Sequence, residues 1–305
     1  MSTEWHALPP TLDDLNRADA DRFVDYLAEV WEHAPWVAQA IVDLRPFASV
    51  DALHRAMVGA VAARPEAERV RFFAGHPELA GQAARKGLMT ADSVREQGGL
   101  DLAAVDGQEA GRWDALNARY RERFGFPFML CIARHSRRSA LAAFERRVER
   151  SRAEELEAAL TEIGRITRLR LAARIADHGL TDIAGRLTTH VLDIGAGRPA
   201  AGIGVALYEA GDDGRAAPGA APLAQAVTNE HGSTTAPLLG GGPLRIGRYE
   251  LRFDVGAYFR RDGRAPSDWA FLETVPVVFA VDDPEGDYHL PLAVTPWAYS
   301  TYRGQ

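Results

Sequence analysis

Four polar side chains in the N-terminal half could form a small reactive site. His76 lies between a glycine and a proline, which places it in a loop or at the start of a helix. Ser93, Glu96 and Gln97 fall within about one helical turn, so Ser93 shares a helix face with Glu96 or Gln97. Together they could hold a small, nitrogen-rich polar ligand. Spacing alone favours the alternative, in which His76 caps a helix and the others are surface polar residues.

Two histidines stand at the two ends of the C-terminal half. His190 and His289 both lie in strand-like runs, where histidines serve packing or face solvent more often than they catalyse. The sequence closes with a dense polar and aromatic string over residues 299–305. Because chain ends are usually frayed and simple, this composition indicates an ordered segment.

The segments around His76, Ser93, Glu96 and Gln97 are predicted to be helices. Thr11 and Asp14 have the spacing of a capping box, and apolar residues follow them at helical spacing. Further helices are predicted over residues 50–63, 92–97, 109–124 and 141–169, the last of them as one long helix. Residues 173–185 are polar and carry little signal.

From Leu187 onward the apolar residues alternate with period two, as in half-buried strands. Strands are predicted over residues 203–208, 249–255, 275–281 and 290–294, separated by clusters of Gly, Pro and Asp. Short strands at this spacing favour a β-sandwich. The sequence therefore predicts a multidomain protein: an all-α domain over residues 1–172, a linker over 173–186 and an all-β sandwich over 187–305.

Composition excludes several classes of protein. The 305 residues carry a net charge of −7, whereas nucleic-acid binders need a basic face. Cys131 is the only cysteine, so neither a disulfide framework nor a cysteine zinc site is expected. No apolar run approaches the roughly 20 residues of a membrane span, and residues 1–15 lack the apolar core of a signal peptide. We therefore expect a cytoplasmic protein that binds neither nucleic acid nor membrane.

Five motifs in residues 10–171 resemble the decarboxylases of 2-oxo-4-hydroxy-4-carboxy-5-ureidoimidazoline (OHCU). They are Glu-His-Ala-Pro-Trp at 32–36, Gly-His-Pro-Glu-Leu-Ala-Gly at 75–81, Ser-Val-Arg-Glu-Gln at 93–97, Phe-Gly-Phe-Pro-Phe at 124–128 and Leu-Arg-Leu at 169–171. The resemblance implies that His76 and Glu96 are catalytic and that Pro77, Ser93, Gln97, Phe126 and Arg170 bind substrate. His33 and Trp36 are assigned to structure, and His6 and His54 to the surface.

Residues 187–305 resemble the 5-hydroxyisourate hydrolases, which have a transthyretin-like sandwich. The matching stretches are 189–193, 202–207, 247–251, 288–292 and 299–304. The resemblance implies that His190 and His289 are catalytic and that Tyr302 and Arg303 bind substrate. Three positions depart from the family pattern: Ser233 replaces an arginine of the site, Gln305 replaces a final serine, and Asp287 replaces a histidine.

The two resemblances imply consecutive steps of urate breakdown. One half would hydrolyse 5-hydroxyisourate to OHCU, and the other would decarboxylate OHCU to (S)-allantoin. Neither step is expected to need a cofactor or a metal. We expect a homo-oligomer, a dimer or tetramer formed through the sandwich. One alternative is a monofunctional decarboxylase whose degraded sandwich serves only in assembly, and another is a pure binding protein for a small ligand.

Overall fold

The structure is a computed structural model that describes residues 8–32, 34–80, 107–265 and 268–304. The chain divides into two compact units. The first comprises Met1–Ile132 with Arg137–Ile183, and the second comprises Ala133–Ser136 with Ala184–Gln305. Helices fill the first unit and strands dominate the second, which confirms the predicted order of an all-α domain followed by a β-sandwich.

The α-helices described in the first unit are α1 (Leu12–Arg17), α2 (Ala20–Leu27), α3 (Pro35–Ile41), α4 (Val50–Ala62), α5 (Glu66–Ala74), α6 (Gly107–Phe124), α7 (Arg137–Arg147) and α8 (Arg152–Arg174). Short 3₁₀ turns occur at Val42–Leu44 and Ile132–Arg134. The predicted capping box at α1 is confirmed: the backbone N–H of Asp14 donates to Thr11 Oγ1 at 3.2 Å, and the N–H of Thr11 donates to Asp14 Oδ2 at 2.9 Å. The predicted helix over 92–97 lies outside the described residues.

The prediction of a single long helix from Leu141 to Leu169 is wrong, because α7 ends at Arg147 and α8 begins at Arg152. Ser151 caps the second helix, and its backbone N–H donates to Glu154 Oε2 at 2.8 Å. This reciprocal Ser–Glu capping box satisfies backbone donors that a helix start leaves open, so a new helix begins there.

Large aromatic residues form the core of the helical unit. Trp31, Trp113, Tyr120, Phe73 and Phe144 are all within 1 % of complete burial. Each buried aromatic side chain removes a large apolar area from water, which is the main stabilisation of such a domain. Trp36 is half-buried and meets Phe72 edge-on, with ring centroids 6.1 Å apart.

The prediction that His54 lies on the surface is wrong. His54 is only 8 % exposed, and its Nε2 atom lies 2.9 Å from the carbonyl oxygen of Gly164 and 3.1 Å from Thr167 Oγ1. It belongs to the buried face of α4, which packs on α8. The apolar residues around it share that face at helical spacing.

The second unit contains β1 (Gly185–Thr188), β2 (Val191–Asp193), β3 (Arg198–Pro199), β4 (Gly204–Glu209), β5 (Ala224–Val227), β6 (Leu239–Gly242), β7 (Gly247–Asp254), β8 (Thr274–Val281), β9 (Asp287–His289), β10 (Leu292–Val294) and β11 (Tyr299–Thr301). They form three sheets, ordered β6-β1-β9, β11-β10-β2-β3 and β5-β4-β7-β8. β7 and β8 pair antiparallel over their full length, from Gly247 opposite Val281 to Asp254 opposite Thr274. Along β8 the buried apolar residues alternate with more exposed ones, as the period-two pattern predicts, whereas in β7 Glu250 is buried as well.

One helix interrupts the strands of this unit. The alternation of β7 was predicted to continue to Val255, but α9 (Val255–Arg261) begins at that residue. Asp254 caps it by accepting a hydrogen bond from the N–H of Ala257 at 3.2 Å. Aspartate is among the best N-cap residues, so the strand ends where the helix can start.

Across the described residues, no helix combines the length and the apolar character that a membrane crossing requires.

Candidate active sites

A pocket in the helical unit brings together three residues predicted from the sequence. His76, Pro77 and Arg170 all line it. The other described lining residues are Glu32, Leu79, Phe128, Met129, Leu130, Ile132, Ile163, Ile166 and Thr167. A mostly apolar pocket with a few convergent polar groups is the usual form of a small-molecule site.

His76 follows the C-terminal end of α5, where two carbonyl groups orient it. Its backbone N–H donates to Phe73 O at 3.1 Å, and its Nδ1 atom lies 3.3 Å from Phe72 O. A carbonyl oxygen can only accept, so this contact places a proton on Nδ1. In the neutral imidazole Nε2 is then the basic nitrogen. The ring also meets Phe72 edge-on, with centroids 5.0 Å apart, which limits its rotation.

Arg170 and Glu32 supply opposite charges to the cavity. Arg170 Nη2 lies 3.6 Å from Glu32 Oε2, and the two side chains are 9 % and 10 % exposed. Arg170 Nη1 also donates to the carbonyl oxygen of Val30 at 3.4 Å. A guanidinium held this way can pair with a planar anion such as a carboxylate. Glu32 belongs to the Glu-His-Ala-Pro-Trp motif, but its sequence position does not reveal that it lies beside Arg170.

The segment after α6 contributes to the cavity, but not through Phe126. The Phe126 side chain is fully buried and meets Phe73 and Tyr120 edge-on at 5.5 and 5.8 Å. Phe128, two residues later, lines the cavity instead. The Phe-Gly-Phe-Pro-Phe pattern offers three aromatic rings, and only the packing decides which of them faces the ligand.

Several predicted residues cannot be placed against this cavity. Ser93, Glu96 and Gln97 lie outside the described residues, as do His6, His33 and Gln305.

The second unit brings its two predicted histidines into direct contact. His190 Nδ1 lies 2.8 Å from His289 Nε2, and the rings are nearly parallel with centroids 5.0 Å apart. On the far side of the ring, His289 Nδ1 lies 2.8 Å from Thr188 Oγ1. Of two nitrogens at hydrogen-bonding distance, one must carry the proton and the other the lone pair. The two imidazoles can therefore exchange one proton, and Thr188 holds the orientation of the His289 ring.

Parallel strand pairing creates this contact between residues distant in sequence. β1 pairs with β9, which sets Thr188 opposite His289. β2 pairs with β10 just beyond, and His190 occupies the junction between β1 and β2. The chain end adds a further bond, in which the N–H of Gly304 donates to His289 O at 2.8 Å.

Electrostatics favour a neutral His289. Burial lowers the pKa of His289, and the positive charge that His190 can carry lowers it further. A neutral imidazole at neutral pH can accept a proton from water.

Ser233, the position at which the family pattern has arginine, lies opposite His190. The two residues form an isolated antiparallel bridge. The N–H of Ser233 donates to Asn229 Oδ1 at 3.2 Å, which fixes the tight turn that carries it. A side chain at position 233 is therefore anchored directly across from His190.

Tyr302 and Arg303 lead into Gly304 and are more exposed than the histidines. Tyr302 is 60 % exposed. The guanidinium of Arg303 sits over the ring of Tyr288, 4.7 Å from its centroid.

Among the residues that the structure describes, no three His, Cys, Asp or Glu side chains cluster closely enough to hold a metal ion.

Two protein families match this chain, one on each unit. The pattern of the OHCU decarboxylase family matches residues 16–172. The pattern of the HIUase/transthyretin family matches residues 187–304.

Individual relatives divide the same way. A 2-oxo-4-hydroxy-4-carboxy-5-ureidoimidazoline decarboxylase of Haloferax volcanii is 39 % identical over 166 residues, which are 54 % of this chain and 96 % of that protein. A 5-hydroxyisourate hydrolase of Deinococcus radiodurans is 49 % identical over 118 residues, 39 % of this chain and 94 % of that protein. The crystal structure of an (S)-allantoin synthase matches both units together, with a TM-score of 0.52 and 30 % identity over 97 % of this chain and 100 % of that chain.

Proposed function

The chain belongs to the OHCU decarboxylase family through residues 16–172 and to the HIUase/transthyretin family through residues 187–304, and we propose that it catalyses two consecutive steps of urate degradation. The sandwich hydrolyses 5-hydroxyisourate to OHCU, and the helical unit decarboxylates OHCU to (S)-allantoin. One observation carries the proposal: each family match falls on a unit that contains its own cluster of chemically suited side chains.

The decarboxylation needs an oriented ring and one proton. As the carbon–carbon bond breaks, carbon dioxide leaves and its electron pair stays on the ring carbon, where the conjugated ring spreads it. That carbon then takes up one proton, on one face, to give a single enantiomer. His76 is the group that handles this proton, because it lines the cavity and imidazoles titrate near neutral pH.

Other residues orient the substrate. Arg170 pairs with an anionic group of OHCU, and Pro77 limits the space beside His76. The proposed roles of Glu96, Ser93 and Gln97, which are to hold the ring and ureido groups, rest on the sequence pattern alone. Phe126 supports the pocket from the core and is not proposed to touch the substrate.

The hydrolysis adds water across a ring amide. The histidine pair accepts a proton as the water oxygen bonds to the carbonyl carbon, and it returns a proton to the ring nitrogen as the carbon–nitrogen bond breaks. The 2.8 Å contact between His190 and His289 supports this shuttle. The ring opening creates the carboxylate that the decarboxylase then removes, so the two activities fit in sequence. Tyr302 and Arg303 are proposed to bind substrate beside Gly304.

We also propose that the chain forms a homo-oligomer, a dimer or tetramer, through the sandwich. Exposed apolar side chains on and next to β2 and β11 support this, since association would remove their apolar surface from water. They are Leu192, Ile194, Trp297, Tyr299 and Tyr302, all between 37 % and 70 % exposed. Light scattering should report more than one chain per particle, and Trp297→Glu should lower that number.

Freshly generated 5-hydroxyisourate tests both activities in one assay. Ultraviolet absorbance follows its decay, and circular dichroism follows formation of optically active allantoin. His289→Ala should abolish the enzymatic first step, and His76→Ala should abolish the enzymatic second step. His231→Ala is the matched control, because that histidine side chain is 77 % exposed. Wild-type rates in His76→Ala would refute the decarboxylase assignment.

Ser233 favours one second candidate, a monofunctional decarboxylase with a non-catalytic sandwich. The missing arginine removes a charge that could stabilise the developing anion, and such a donor is worth about 3 kcal/mol. An unaccelerated first decay together with fast, optically active allantoin formation would support this candidate over the bifunctional enzyme.

A further inference from the structure

One wall of the His76 cavity is an irregular segment that needs external support. Phe128, Met129, Leu130 and Ile132 line the cavity, yet residues 127–131 belong to no helix or strand. No helical or sheet ladder therefore satisfies the backbone groups of this stretch, which we call the cavity wall. Buried backbone N–H and C=O groups must find other partners, and those partners fix the position of the wall.

Arg147 holds the wall on one side. This α7 residue is 6 % exposed, and its Nη1 atom donates to the carbonyl oxygen of Met129 at 2.9 Å. Its guanidinium also lies over the ring of Phe128, 4.6 Å from the centroid. Phe144 of α7 stacks on Phe128 as well, with centroids 4.0 Å apart. The position of α7 is thus transmitted to two residues that line the cavity.

A fully buried carboxylate fixes the guanidinium of Arg147. Glu155 accepts from Arg147 Nε at 3.1 Å and from Nη2 at 2.9 Å, and it also accepts from the Tyr120 hydroxyl at 2.5 Å. Burial and this last hydrogen bond raise the pKa of Tyr120, so the phenol stays a donor. A buried ion pair of this kind adds little net stability compared with apolar residues, but it fixes geometry.

Glu162 holds the wall on the other side. This α8 residue is 7 % exposed, and its Oε2 atom accepts a hydrogen bond from the N–H of Cys131 at 2.9 Å. Its Oε1 atom pairs with Arg165 Nη1 at 2.5 Å. Met129 O and Cys131 N flank Leu130, so the backbone around this lining residue is held between two charged side chains from different helices.

We propose that Arg147 and Glu162 are positioning residues of the decarboxylase site. They set the distance of the cavity wall from His76 and Arg170, and thereby determine how tightly OHCU binds and which ring face receives the proton. This inference rests on the proposed decarboxylase function. Neither residue is among those that line the cavity, so each acts through the wall and not on the substrate.

The test compares variants of Glu162 that differ in one property at a time. Glu162→Gln keeps an acceptor oxygen for Cys131 N–H and removes the charge, so KM should stay near the wild-type value. Glu162→Asp keeps the charge and withdraws the acceptor by one methylene, and Glu162→Met removes the acceptor. Both should raise KM for OHCU about tenfold or more and lower the enantiomeric excess of allantoin, because small misplacements of a site are costly.

Arg147 and Tyr120 supply the matched comparison. Arg147→Lys keeps the charge but not the forked geometry, so it should also raise KM. Tyr120→Phe leaves the Arg147–Met129 bond in place and removes one bond to Glu155. It should lower the melting temperature without changing KM or enantiomeric excess. The rate of 5-hydroxyisourate hydrolysis in each sample reports whether the rest of the chain is folded.

The possible results distinguish the positioning role of Arg147 and Glu162 from the decarboxylase activity itself. Melting temperatures that fall while KM and enantiomeric excess stay at wild-type values, in Glu162→Asp and Arg147→Lys alike, would make these residues structural and overturn this inference. A wild type that does not decarboxylate OHCU would overturn the proposed function, and this inference with it. A KM rise in Glu162→Asp that is absent in Glu162→Gln supports the positioning role.

Discussion

Gly304 lies so close to His289 that position 304 has no room for a side chain. A Cβ atom there would stand 2.6 Å from Cδ2 of His289, well inside van der Waals contact. Gly304→Ala should therefore push the imidazole away from His190 and lower hydrolysis of 5-hydroxyisourate by about a hundredfold. OHCU decarboxylation by the same sample should be unchanged.

A second glycine provides the control for this substitution. Gly59 has nothing within 4 Å of its would-be Cβ, so Gly59→Ala should leave both activities at wild-type values. Wild-type hydrolysis in Gly304→Ala would show that the chain end can retreat from His289 without cost.

Ser233→Arg should increase hydrolase activity. Position 233 bridges to His190, so an arginine there would bring a guanidinium to the histidine pair. We expect a rise of about tenfold to a hundredfold in kcat/KM for 5-hydroxyisourate, as for a restored anion-stabilising donor. Ser233→Met, which adds a long side chain without charge, is the comparison. Equal values for the two variants would contradict a role for the charge.

The hydrolase should remain active at pH values below the ordinary histidine pKa of about 6.5. Burial, and then the charge of His190, lower the pKa of His289, so the neutral base persists as the pH falls and is lost only on passing the lowered pKa. His190→Gln removes the smaller of these two causes. The pKa of His289, measured by NMR titration, should therefore rise in that variant, but not all the way to the ordinary value. A wild-type pKa of His289 at or above the ordinary value would refute the prediction.

His54 should make the helical unit less stable in mild acid. Burial lowers the pKa of His54, so the unfolded chain binds a proton more readily than the folded one. Its contribution is fully present above about pH 6.5 and is lost as the pH falls toward the lowered folded-state pKa. Urea unfolding of His54→Gln should show a weaker loss of stability between pH 7 and 5 than the wild type. His231→Gln, at an exposed position, should follow the wild-type curve, and identical curves for all three proteins would contradict the account.

Sequence patterns predicted most of the described helices and strands, because these leave local signals. The Thr11–Asp14 capping box and the alternation along β7 are examples of such signals. The start of α8 also has a local signal, the Ser-x-x-Glu spacing of Ser151 and Glu154. The apolar residues continue at helical spacing across this point, and the prediction followed them instead.

Three features of the structure depend on tertiary contacts that no local sequence pattern reveals. Nothing local distinguishes Phe126 from Phe128, and only packing buries the first and turns the second toward the cavity. The burial of His54 depends on α8, more than a hundred residues away. The contact between His190 and His289 depends on parallel strand pairing, which no periodicity of one segment reveals.

The order in which the two sites are completed follows from where their residues lie in the chain. The described residues of the His76 cavity end at Arg170, whereas the histidine pair needs β9 and Gly304. The chain emerges from the ribosome with its N-terminal residues first, and domains generally fold as they emerge. A nascent chain therefore contains all the described residues of the His76 cavity before its two histidines can meet, so the two sites are completed at different times during synthesis.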